Sequence, residues 1–212
     1  MFKEQRRGRI DPVSSRLSRY RPRWVLAVAF VGGALLQGCA TAGTTASPAA
    51  ASVDSSTLAV RNNAASLLSQ LLGQEKNVSK VLIIKHASRE LSGLIKAIST
   101  AAADGGKRLK GLAQDDPTLD LRRQELPAGE KASRDALGKT EEHELLMSSG
   151  VDFEFTLLLT QAQALNYGSH LAKVAAENSE DPEEADAFLT MSRTLDQLLT
   201  QVKAMMRSLP PK

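Results

Sequence analysis

The chain of 212 residues carries 27 Lys and Arg against 24 Asp and Glu, and a single cysteine. That length suits one domain, and one cysteine excludes an internal disulfide framework and a zinc-thiolate cage. The basic excess sits at the start: residues 1–38 hold eight Lys and Arg and two acids, which leaves 19 bases against 22 acids, a net −3, in the rest of the chain. No nucleic-acid partner is expected, because that footprint needs clustered basic side chains on the folded domain.

The first segment is arginine-rich: Arg6, Arg7, Arg9, Arg16, Arg19, Arg21 and Arg23 precede a mostly apolar run from Trp24 to Leu36. Gly38 and Cys39 close it. Basic, apolar, small is the layout of a secretory signal peptide. The run is too short for a membrane span, which needs ~20 apolar residues, and Gly32-Gly33 in its middle disfavours a helix. The pair Arg6-Arg7 lies too far upstream of the run to read first as a twin-arginine signal. The residues Leu36-Gln37-Gly38-Cys39 resemble the lipobox of bacterial lipoproteins. The resemblance implies cleavage before Cys39 and lipid on its thiol and new amino terminus; no cofactor other than that covalent lipid is expected. It places the protein in the cell envelope, held to the membrane by its lipid. Ala40, where aspartate favours inner-membrane retention in such lipoproteins, implies the outer membrane facing the periplasm.

Residues 40–53 are small and uncharged and cannot bury enough apolar surface to order themselves. As a flexible tether between lipid and domain they span ~20 Å r.m.s.. The organisation expected is a signal peptide over 1–38, the lipidated cysteine and linker over 39–53, and a helical domain over 54–212.

From Asp54 the pattern is helical. Leu58, Leu67, Leu68, Leu71 and Leu72 predict a first helix ending near Gly73. A second is expected over Val78 to Gln114, because Val81, Ile84, Ser88, Leu91, Ile95, Ile98 and Ala102 alternate at three and four. Gly105-Gly106 should kink or interrupt it, and Asp115-Asp116-Pro117 should stop it. A polar connection runs to Leu126-Pro127. A third helix is expected from Glu130 to Ser148, with Gly150 as a stop signal. A fourth, Asp152 to Asn178, is apolar around much of its circumference and should be central. The fifth has the clearest start: Asp181 as N-cap, Pro182 at the first position, then Glu183 and Glu184. Phe188, Met191, Leu195, Leu198, Val202, Met205 and Leu209 form its seam, suited to burial on the fourth helix or to pairing of two chains. The fold class is all-α, a helical bundle of four to five helices loosely similar to ferritin-like bundles.

Chemistry is sparse. Metal sites in such bundles use inward carboxylates with Glu-x-x-His pairs, a motif this chain lacks. His86 with Glu90 and Glu142 with His143 form the candidate metal set; His86 with Glu90 reads equally as a surface hydrogen bond, and for His143 a partly buried, hydrogen-bonded histidine is the commoner reading. His143 shares the stripe Ala132, Ala136, Thr140, His143, Met147, which could face inward. His170 lies on a polar face. Thr160, Gln161 and Asn166 interrupt the apolar fourth helix and, if buried, must be hydrogen-bonded or line a small pocket between helices. No Gly-x-Ser-x-Gly, phosphate loop, Rossmann fingerprint or His-Glu-x-x-His is present. No enzyme is expected. The sequence favours an envelope lipoprotein whose helical domain binds another envelope component or serves a structural role, with a metal-binding bundle as the alternative.

Overall fold

A computed structural model describes residues 55–122 and 124–210. The signal peptide, Leu36, Gln37, Gly38, Cys39 and the linker lie outside the described residues. Among those described there is no strand, and the fold is an all-α bundle. No helix among them is long and apolar enough to cross a membrane. The elements are α1 (Ser55–Glu75), a 3-10 turn (Val78–Lys80), α2 (Val81–Ile84), α3 (Arg89–Asp115), α4 (Ala128–Met147), α5 (Gly150–Glu177) and α6 (Pro182–Ser208).

Four long helices enclose the core. Each packs on two neighbours in the cyclic order α1, α3, α6, α5. The interface between α5 and α6 is the most extensive, because a short turn folds them into a hairpin. There Asp181 accepts a hydrogen bond from the Glu183 backbone N–H at 3.0 Å, with Pro182 opening the helix. Phe188, Met191, Leu195, Leu198 and Val202 of the α6 seam are buried, with Met205 and Leu209 partly buried against the core. The seam is therefore used within the chain. Helix α5 buries Phe153, Leu157, Leu158, Leu165 and Leu171 and packs on α1, α4 and α6, but Phe155, Leu159 and Val174 of its apolar circumference are exposed, so it is covered on only part of its surface. At Gly168 α5 packs tightly on α1 and α6: a Cβ there would stand 2.8 Å from Leu71 Cδ2 and 3.1 Å from Leu195 Cδ1.

Three expectations fail. The second helix is broken: residues 85–88 are not helical, and α3 starts afresh at Arg89. Ser88, which fits the apolar spacing, is the N-cap of α3, its Oγ accepting from the Leu91 N–H at 3.4 Å. A short polar side chain at a helix start satisfies a donor that has no intrahelical partner. Ile84 is consequently 72% exposed. Gly105-Gly106 does not interrupt α3. A Cβ at Gly105 would lie 3.1 Å from Leu72 Cδ1, so this glycine lets α3 approach α1. Finally, α4 buries no residue. Its stripe Ala132, Ala136, Thr140, His143, Met147 is exposed throughout, because α4 lies outside the ring, with α5 as its main packing partner.

Candidate binding groove

The residues with candidate chemistry scatter. His86 sits exposed in the break before α3, and Glu90 is exposed in the first turn of α3. Glu142 and His143 are exposed on α4, and His170 is exposed on α5. Among the described residues no group of three or more His, Cys, Asp or Glu is placed to hold a metal ion. The set His86, Glu90, Glu142, His143 therefore does not assemble, for the same reason that α4 fails to turn its stripe inward.

A buried polar cluster that the sequence did not single out ties three parts of the fold together. Arg61 of α1 is 5% exposed and Glu184 of α6 is 2% exposed. Arg61 Nη1 lies 3.1 Å from Glu184 Oε2 and 3.0 Å from Asp116 Oδ2, and its Nη2 donates to Thr118 Oγ1 at 2.8 Å. Asn62 Nδ2 donates to the Thr118 carbonyl at 2.8 Å, and Ser179 Oγ lies 3.2 Å from Glu184 Oε1. Burial raises the Glu184 pKa above its ordinary 4.5, more than Arg61 and Ser179 lower it. Asp116 ends below its ordinary 3.8: burial pushes it up, but bonds from Thr118 and the Arg61 charge outweigh that. Every strong donor here meets an acceptor, so the cluster is a structural clasp between α1, α6 and the connection after α3.

Two of the solvent-open depressions combine the most room with apolar walls. A cleft of about 690 Å³ between α3 and α6 has Leu72, Gly105, Met191 and Leu195 in its walls, and Thr190, Thr194, Asp104, Arg108 and Asp186 among its polar lining. A groove of about 510 Å³ is formed by four elements: the end of α1 (Gln74, Glu75), the 3-10 turn and α2 (Val78, Val81, Ile84), α4 (Glu141, Glu142, Leu145, Leu146) and α5 (Leu157, Gln161). Both volumes suit a small ligand. Only the second pairs its apolar walls with unsatisfied buried polar atoms.

Those atoms are Glu75 Oε2 and Gln161 Oε1, each shut off from solvent and without a hydrogen-bond partner. Gln161 is 3% exposed, whereas Thr160 is only partly buried, its Oγ1 bonded to the Leu157 carbonyl at 2.9 Å, and Asn166 is exposed. The side chains of Glu75 and Gln161 hydrogen-bond to each other. The amide nitrogen is the end that can meet an ionised carboxylate. The Glu75 pKa is raised, first by burial and also by the like charge of Glu141, with the Gln161 bond pulling the other way. The Glu141 pKa is raised too, by burial and by Glu144.

Of the groove's lining, Ile84 of α2 and Leu146 of α4 are exposed by 72 and 42%, and their chain neighbours Ile83 and Met147 by 84 and 71%. Lys85 Nζ bridges this edge by donating to the carbonyls of Leu146 and Ser148. An apolar edge of this kind, beside a polar-based groove, has the character of a contact surface. No family model matches the chain, and neither a curated protein nor a solved structure matches it.

Proposed function

We propose that this chain is a lipid-anchored protein of the bacterial cell envelope whose helical bundle is a binding module, without catalytic activity and with the covalent lipid on Cys39 as its only attached group. The anchoring half rests on Leu36-Gln37-Gly38-Cys39 at the end of the apolar run. The binding half rests on one observation: Glu75 Oε2 and Gln161 Oε1 are buried without partners on a solvent-open groove. A buried polar atom left unmade costs about 1–3 kcal/mol, and a binding surface is where such a cost is recovered when the ligand arrives. The tether over residues 40–53 gives the bundle reach from the membrane, and the edge of Ile83, Ile84, Leu146 and Met147 offers an apolar contact for another envelope component.

Metabolic labelling with an alkyne fatty-acid analogue tests the anchor. The wild type should be labelled and should fractionate with the outer membrane, while Cys39→Ser should be unlabelled. Equal labelling of both proteins contradicts the reading.

A further inference from the structure

We propose that the groove binds a primary alkylammonium ion, its head on Glu75 Oε2 and Gln161 Oε1 and its chain along Val81, Leu145 and Leu157. The inference rests on reading the bundle as a binding module and names the ligand class. Both unpartnered atoms are acceptors. One group that satisfies two acceptors at once must carry two or more N–H or O–H donors, and an ammonium carries three and no acceptor.

Charge selects the cation over a neutral donor. Glu75, Glu141 and Glu142 line the groove, and Lys80 is the basic side chain on it. The Glu141 charge adds a smaller upward push to the Glu75 pKa, behind burial and the opposing bond from Gln161. A positive head between Glu75 and Glu141 would relieve that repulsion and make charge-assisted bonds, which are stronger than neutral ones. The apolar walls select the rest of the ligand. A hydrated inorganic cation would leave Val81, Leu145 and Leu157 facing its water, whereas an aliphatic chain covers them.

The test is titration calorimetry at neutral pH on the processed, lipidated protein in zwitterionic detergent, with n-hexylamine as probe. Hexanol and hexanoate are the matched neutral and anionic probes. The wild type should bind hexylamine and neither of the others. Glu75→Gln should weaken binding about tenfold, as should Glu141→Gln, which alters a rim residue and serves if the Glu75 variant does not fold. Partition of the amine into micelles is common to all variants and cancels in the comparison. Unchanged affinity in a folded Glu75→Gln or Glu141→Gln overturns the proposal. So does the absence of amine binding, the result expected if Glu75 instead holds a proton and closes an acid–amide pair with Gln161. Nα-acetyl-lysine methylamide, a lysine side chain without a free tail, should bind more weakly. Binding as tight as that of hexylamine overturns assignment to a free amine. Labelling of Cys39 and partner contact in cells use no amine, so failure here and failure of the binding-module reading remain distinguishable.

Discussion

Arg61 shows how a single side chain can hold a bundle together. Its guanidinium meets Glu184, Asp116 and Thr118 at 3.1, 3.0 and 2.8 Å, and it is almost fully buried. Taking these charges out of water is costly, and the cluster is tolerated because the guanidinium's donors find acceptors. Removing Arg61 leaves the Glu184 carboxylate buried with no cation beside it and only Ser179 Oγ within hydrogen-bond reach. Arg61→Ala should therefore destabilise the fold by about 3–5 kcal/mol, read from chemical denaturation. A loss below about 1 kcal/mol, the scale of an exposed pair, would show that Arg61 is not the clasp described. Little of this was legible beforehand. Arg61 stands in the sequence beside apolar positions of α1 with nothing to pair with locally; its partners come from the connection after α3 and from the start of α6. Gln161 was legible, because a polar residue inside the most apolar helix needs a partner. Glu75 was not, because its burial is created by α4 and α5 closing over the end of α1.

Helices were legible where several local signals agreed. Asp181, Pro182, Glu183 and Glu184 mark the start of α6, and its three-four seam marks the buried face, and both stand as read. The start of α3 was misread because Ser88 satisfied the apolar spacing while its hydroxyl was needed as a cap. In α4 the stripe from Ala132 to Met147 had the spacing of a buried face but too little apolar bulk to draw the helix into the ring, and it stayed exposed. The α6 seam carries the element-scale prediction. Leu195, 6% exposed, packs toward Gly168 of α5 and forms part of the α3–α6 cleft. Leu195→Ala should cost about 2–5 kcal/mol, toward the lower end if the neighbouring cleft lets the site relax. Because the seam is buried within one chain, thermal melts of the wild type should not move with protein concentration. A concentration-dependent melt, with a folded monomeric Leu195→Ala, would assign the seam to a dimer instead.

At the scale of the whole molecule, the division of labour follows from which helices close the ring. Helices α1, α3, α5 and α6 bury one another and supply stability. The pieces left outside, α2 and α4, bury no residue of their own and frame the groove over Glu75 and Gln161. Elements with few buried contacts open most readily, so the walls best able to move are the ones that flank the unsatisfied acceptors. The most direct test of the account is photocrosslinking in cells, with a photoreactive amino acid placed at Leu146 on the groove or at the exposed Gln201 of α6. In the otherwise wild-type protein, irradiation should give a discrete adduct from Leu146 and none from Gln201, and Glu75→Gln should diminish the Leu146 adduct. Equal adducts from both positions, or none from Leu146, would contradict the assignment of this groove as the working surface.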